Sequence, residues 1–260
     1  MTSVADLPPV SSPSAADLLL AWEWGSQARA PERGVVLLTT VLADRPVESL
    51  ASMSVGERDL HLLSARRMLF GPELDCVVSC PQCSTALELH VAVGDLLAGA
   101  AGDVEPADGG EIAVSGWTVR FRRLTLQDLA DATLAADAAQ ARLALLQRSV
   151  QTTVQPDGCE TDGVPAAGLP AEVELALVEE MERREPMAPL DFALECPDCR
   201  HPWTAPFDVA SFLWAEIDAW AQRTLREVHA LASAYGWRES DILALSAWRR
   251  EAYLQLGGHA

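Results

Sequence analysis

Two stretches decide how this chain is read: SCPQCSTAL at residues 79–87 and ECPDCRHPW at residues 195–203. Each contains the tetrapeptide Cys-Pro-x-Cys, and together they hold four of the 6 cysteines. The flanks alternate. Val77 precedes the first pair, and Leu87, Leu89, Val91 and Val93 follow it on one face. Leu190, Phe192 and Leu194 precede the second pair, with Trp203 and Phe207 beyond it. Period-2 alternation on both sides of a tight knuckle predicts a β-hairpin at each pair.

Four cysteines as two x₂ pairs at hairpin tips match a tetrahedral, closed zinc site in type, number and spacing. Cys80, Cys83, Cys196 and Cys199 are the expected ligands, and structural Zn²⁺ is the expected cofactor. The separation is longer than such sites normally show, but the entropy of closing a loop grows only slowly with its length. Two other readings stand beside this one. Cys-Pro-x-Cys also occurs in glutaredoxin-like redox proteins, where the motif opens a helix that lowers a thiol pKa; both flanks here read as extended. The four thiols can also be a packed, metal-free remnant. The residue after each second cysteine, often Gly for its conformational freedom, is Ser84 in one knuckle and Arg200 in the other. His201 is a rival ligand, made superfluous by four thiolates. Cys76 reads as a buried strand residue and Cys159 as an exposed loop residue.

Composition narrows the function classes. Asp and Glu number 38 against 19 basic residues, for a net charge of -19. That balance argues against nucleic acid, whose binding releases counterions to Lys and Arg, and against an anionic membrane surface. Every basic residue is Arg, which fits the codon bias of a GC-rich genome together with the abundant Ala. The opening residues lack a basic n-region and a long apolar run, so no signal peptide is expected, and no stretch has the apolar length of a spanning helix. The expectation is a cytoplasmic protein, where paired cysteines serve as metal ligands or redox groups more often than as disulfides.

The rest of the chain is mostly helical in pattern. Residues 1–12 read as a flexible tail. Ser14 and Asp17 form a capping box before a short helix reaching about Gly25. Residues 31–43 read as a second helix, with a strand as alternative. Ser54 and Glu57 cap a third helix, in which His61 faces solvent or the core edge, and Gly71 ends it. Residues 93–111 read as an acidic, Gly-rich loop, and 112–124 as a hairpin turning at Ser115-Gly116. Thr125 and Asp128 cap one Ala-rich helix running to residue 150. A loop follows, then a helix over 171–185 stopped by Pro186 and Pro189. Residues 209–235 form the strongest helix, with Leu213, Ile217, Trp220, Val228, Leu231 and Tyr235 near 3–4 spacing. Gly236 ends it, and one or two short helices follow.

No nucleophile elbow, zinc-protease, phosphate-loop or dinucleotide motif is present. A closed four-thiolate zinc offers no open position to water. His229, mid-helix, reads as a solvent-facing or satisfied histidine. A non-enzymatic protein is expected.

Several stretches resemble one family. GERDLHLLSARRMLFGPEL, the two CPxC knuckles, FDVASFLWAEIDAW, YGWRESDILALS and WRREAYL are similar to the T-even-phage-type baseplate hub assembly chaperones, encoded beside contractile tails and phage-tail-like injection systems. The resemblance runs from about Ala15 to Leu256 and is vaguest between the knuckles. It departs at Ala247, where the family commonly has Pro, leaving Ser246 as the only cap of the last helix. It implies a protein that helps build a baseplate or hub, in the host bacterial cytoplasm or associated with the particle, and it carries no catalytic residues over.

The expected fold is α+β: mainly helical, with a zinc-ribbon-like pair of β-hairpins interrupted by a long insertion. The division is a tail (1–12), an N-terminal helical part (13–75), a split ribbon module (76–95 and 188–208), an inserted hairpin and helices (96–187), and a C-terminal helical arm (209–256). The expected function is a baseplate or hub assembly factor acting through protein–protein contacts, with no nucleic acid, membrane or small-molecule substrate. The alternatives are a structural baseplate subunit and a CPxC dithiol redox protein. Trp214, Trp248, Arg249, Arg250 and Tyr253 are the candidate partner contacts, with packing of the last helices against their own chain as the competing reading.

Overall fold

A computed structural model describes residues 10–100, 109–185, 187 and 190–258. In chain order it has helices α1 (Ala15–Gln27), α2 (Ala30–Val41), α3 (Val47–Ala51) and α4 (Val55–Phe70), then strands β1 (Glu73–Ser79) and β2 (Ala86–Ala92). Next come α5 (Val93–Ala100), β3 (Gly109–Val114), β4 (Trp117–Arg122), α6 (Leu126–Ala132), α7 (Ala138–Ser149), β5 (Val150–Val154), β6 (Glu160–Asp162) and α8 (Ala171–Arg184). The chain closes with β7 (Asp191–Glu195), β8 (Pro202–Pro206), α9 (Val209–Tyr235), α10 (Glu239–Leu243) and α11 (Ala247–Leu256). Helix and strand are both well represented, as an α+β protein requires. Pro186 and Pro189, read as the stop after α8, lie outside the described residues, as does most of the expected tail.

The described residues divide into two units. One comprises Pro46–Asp208; the other joins Pro9–Arg45 to Val209–Ala260. This corrects the expected N-terminal helical part, residues 13–75. Its first two helices belong with the C-terminal helices, and its remainder belongs with the hairpins.

In the second unit, α9 is the spine against which α1, α2, α10 and α11 pack. Ser14 caps α1 as expected: its hydroxyl accepts the Asp17 N–H, and the Asp17 carboxylate accepts the Ser14 N–H. The tail is tied down earlier than expected, because the Ser11 N–H and hydroxyl both donate to the Val41 carbonyl. Trp22 Nε1 donates to Asp218 at 2.7 Å, joining α1 to α9. At the far end of α9, Val228, Leu231, Ile242 and Leu254 form a small core. Gly236 takes the left-handed conformation, with φ of 67°, that ends α9. Ser246 caps α11 by accepting the Arg249 N–H.

Among its described residues the first unit holds three sheets. β1 and β2 form one antiparallel hairpin, β7 and β8 another, and β3-β4-β5-β6 a four-stranded antiparallel sheet. The expected Ser115-Gly116 turn closes β3 on β4, with positive φ at both residues. Two strands were not expected. Residue 150 is not the end of a helix but the start of β5, and β6 lies in what reads as loop. The run Val-Gln-Thr-Thr-Val is β-branched enough to pair with β4, where Val150 lies opposite Phe121. The Ala-rich helix is also broken in two. Thr125 and Asp128 cap α6, then Asp137 accepts the Gln140 N–H and starts α7. Residues 93–100, read as loop, are helix α5, with Val93 and Leu97 buried one turn apart.

The sheet core is Ile112, Val119, Phe121 and Val150 against Val173 and Leu177 of α8. Arg122 donates two hydrogen bonds to the buried Asp128, at 2.6 and 2.9 Å, fastening α6 to β4. Burial alone would raise the Asp128 pKa, but Arg122 and Thr125 together hold it well below the usual carboxylate range. His61 is not at a solvent-facing or core-edge position: it is 1% exposed within α4, and its Nδ1 has no hydrogen bond among the described residues.

Candidate metal centre

Both predicted knuckles are hairpin tips, and both belong to the same unit. In the first, the Cys80 N–H donates to the Thr85 carbonyl at 2.9 Å, and the Ser84 N–H donates to the Cys80 carbonyl at 2.9 Å. In the second, the Cys196 N–H donates to the His201 carbonyl at 3.0 Å, and the Arg200 N–H donates to the Cys196 carbonyl at 2.9 Å. The two loops thus repeat one hydrogen-bond pattern residue for residue. This geometry turns the chain tightly enough to aim two thiols the same way from positions three residues apart.

The pattern also explains the residues after the knuckles. Ser84 has φ of 62° and Arg200 φ of 61°, so each occupies the left-handed position that Gly holds most cheaply. An L side chain there costs about 1–2 kcal/mol, partly returned on glycine substitution because Gly loses more entropy on folding. Ser84→Gly and Arg200→Gly should therefore each stabilise their hairpin by about 0.5–1 kcal/mol. Thermal or urea unfolding checks this; destabilisation by both would show that the knuckles lack this geometry.

The four sulfurs meet. Cys80 Sγ lies 3.7 Å from Cys199 Sγ, and Cys83 Sγ lies 3.5 Å from Cys196 Sγ. All four fall within 4.8 Å of one another. These separations far exceed the S–S bond of about 2.05 Å, and the cysteines are free thiols. A tetrahedral ion with sulfurs at about 2.3 Å sets them about 3.8 Å apart, close to the Cys80–Cys199 and Cys83–Cys196 separations. Cys80 and Cys196 are buried, Cys199 is half-buried and Cys83 is exposed.

The electrostatics favour a cation. The Thr85 hydroxyl beside Cys83, aided by the Thr85 backbone and the neighbouring thiols, draws that thiol down to about 6. Cys199 behaves oppositely. The His201 N–H favours its thiolate, yet burial and the other three cysteines push it up to about 12. One ionised sulfur thus makes the next harder to ionise. Four thiolates in this space need a positive charge among them.

Two residues outside the expected ligand set lock the hairpins together. The Thr85 hydroxyl donates to Asp198 Oδ2 at 2.8 Å, one knuckle to the other, while Cys83 Sγ sits 3.3 Å from the same hydroxyl. No local sequence signal pairs Thr85 with Asp198, since the partners are remote in the chain. His201 is not in the cluster; its ring stacks on Trp203 with centroids 6.4 Å apart. Cys76 bonds the Leu89 carbonyl across its hairpin, and Cys159 is exposed on the turn between β5 and β6; neither joins the site. Each knuckle leads into a strand, not a helix, so the helix N-terminus that activates a redox Cys-x-x-Cys thiol is missing at both.

The candidate partner residues separate into two groups. Trp214 is 8% exposed and lies against Gly25, and Arg250 is 4% exposed, paired with Glu227 at 2.8 Å and bonded to the Leu245 carbonyl. These two are held by their own unit, which corrects their reading as contact residues. Tyr253 is half-buried in a ring cluster with Tyr235 and Trp237. Trp248 is 80% exposed, and Arg249 is exposed one residue further along α11. His229 faces solvent as expected. Among the described residues, no helix is long and apolar enough to cross a membrane.

No family model, curated protein or solved structure matches the chain.

Proposed function

We propose that the protein is a non-enzymatic assembly factor for the baseplate or hub of a contractile phage tail or phage-tail-like injection system, acting in the cytoplasm. In this reading a structural zinc joins its two hairpins. The observation that carries the zinc is the convergence of Cys80, Cys83, Cys196 and Cys199 from two loops of identical hydrogen bonding. Zinc suits four sulfur donors better than hard cations do, because thiolates are soft ligands. Cys80, Cys83, Cys196 and Cys199 would hold it, and it would supply cross-linking rather than chemistry: a closed four-sulfur shell leaves no site for a substrate or water.

The assembly role rests on the stretches that resemble the baseplate hub chaperones, chiefly the start of α9, the turn at Trp237 and α11. The acidic, lysine-free surface agrees with it, since such a chain is kept off nucleic acid and free to meet protein surfaces. Trp248 and Arg249 are the residues assigned to the partner, being exposed and of the types that dominate interface energies.

The test is co-expression of the tagged protein with the structural proteins of a contractile tail. One baseplate or hub component should co-purify, and the protein should be absent from finished particles. Trp248→Ala should weaken that complex by about 2 kcal/mol, roughly thirtyfold. Recovery of no tail component would overturn the reading. Stoichiometric retention in finished particles would make the protein a baseplate subunit instead.

A further inference from the structure

A cavity of about 520 Å³ lies in the first unit between α7 and α8, above the sheet. Leu145 and Leu146 of α7, Val178 and Met181 of α8, and Phe121 of β4 form its walls and floor. None of these residues belongs to the cysteine cluster or to the exposed end of α11. The volume is that of a ligand site, which normally spans about 300–1,000 Å³.

Three ion pairs border it, and Glu182, the further carboxylate of its lining, is exposed to solvent. Arg123 lies 3.6 Å from Glu185, Arg142 2.6 Å from Glu174, and Arg184 2.6 Å from Glu180. A carboxylate or phosphate entering the cavity would have to compete with a carboxylate already in place, and a cation with a guanidinium at each of these pairs, while at Glu182 a cation meets a carboxylate already solvated at the surface. Away from the atoms Arg123 Nε and Glu185 Oε1, which are buried without a hydrogen bond among the described residues, water gains little there, because a buried water needs two to four polar partners and the walls are mainly hydrocarbon. The Arg142–Glu174 bridge also ties α7 to α8, which helps to hold the space open rather than let the helices collapse into it. From these observations we infer that this cavity is a binding site for a small uncharged apolar molecule, of the alkyl or aryl class, held without chemical conversion. The sequence reading expected no small-molecule substrate; this ligand is not a substrate, and the inference stands apart from the baseplate role.

The experiment uses the full chain as purified. N-phenyl-1-naphthylamine, an uncharged dye that brightens in apolar surroundings, is titrated in and then displaced by 1-dodecanol or dodecanoate. The last two share a chain and differ in charge. Saturable dye binding is expected, with dodecanol displacing at about tenfold lower concentration than dodecanoate, a difference of about 1.4 kcal/mol. Ala141→Trp, which fills the cavity from α7, should weaken the dye at least tenfold, and Leu143→Trp on the exposed side of α7 should leave it unchanged. Val178→Trp fills the cavity from α8 and replaces Ala141→Trp should that variant lose its helical circular dichroism. Absence of saturable binding overturns the site. Equal displacement by dodecanoate overturns the uncharged class. Undiminished binding to the folded filled variants places the dye elsewhere and overturns the location.

Discussion

Stripping the proposed zinc, or replacing Cys196 by Ser, should unravel both two-stranded hairpins while the four-stranded sheet survives. Purified protein should carry one zinc per chain, and Cys80→Ser or Cys196→Ser should abolish it, while Cys76→Ser and Cys159→Ser leave it in place. The reason for partial rather than complete unfolding lies in where the apolar cores are. Ile112, Val119, Phe121, Val150, Val173 and Leu177 bury one another entirely within residues 109–185. The β1–β2 and β7–β8 hairpins are two-stranded, and an isolated two-stranded hairpin is marginal at best in water. Structural zinc contributes about 10–16 kcal/mol of apparent binding energy in small fingers, as much as the whole stability of an ordinary domain. Hydrogen exchange makes the split visible. Amides of β1 and β7 should lose protection by roughly a thousandfold or more on chelation, equivalent to about 4 kcal/mol. Those of β4 should lose tenfold or less. The dithiol reading predicts the opposite for Cys80→Ser and Cys196→Ser: a folded chain with full protection in the hairpins. A protein that purifies folded, with the hairpins protected and no metal bound, would sink the zinc site.

The legibility of this site has a simple physical basis. A four-cysteine cluster concentrates its requirements in a few residues of fixed spacing, so Cys80, Cys83, Cys196 and Cys199 can be read directly. The strain at Ser84 and Arg200 was legible too, as a place where Gly was wanted and another residue stood. Thr85–Asp198 was not, because a hydrogen bond between remote loops leaves no local pattern. Helix ends with side-chain caps were legible at Ser14, Ser54, Thr125 and Ser246, where one hydroxyl satisfies a backbone N–H. The failures were those of tertiary context. Val150–Val154 follows a helix without any turn residue between them, and only its pairing with β4 makes it a strand. Residues 93–100 are helical although glycine-rich, with Val93 and Leu97 buried one turn apart. The grouping of α1 and α2 with the C-terminal helices could not be read, since it depends on which apolar faces meet.

Trp214 shows the same limit at a single side chain, and its substitution carries the second large effect. It falls off the apolar stripe of α9, so a pattern reading frees it for a partner. Instead its ring lies on the backbone of α1: a Cβ added to Gly25 would stand 2.3 Å from Trp214 Cζ3 and 2.5 Å from Cη2. Arg33 covers the ring, its guanidinium carbon 4.9 Å from the centroid, and its Nε donates to the Gly25 carbonyl at 3.1 Å. Trp214→Ala should cost the second unit about 3–5 kcal/mol, the usual loss for an aromatic removed from a core, with part of it from the cation–π contact. Gly25 then supplies a control whose sign reverses. In the native background Gly25→Ala drives a methyl into the ring and should destabilise by about 1–3 kcal/mol. In the Trp214→Ala background the ring is gone, and Ala is simply the better helix former, so the same change should stabilise by about 0.5–1 kcal/mol. The coupling between the two positions, read from urea unfolding of the four proteins, is the measure of the contact. If Gly25→Ala is harmless in the native background, the ring does not rest on α1, and Trp214 returns to the candidate partner contacts.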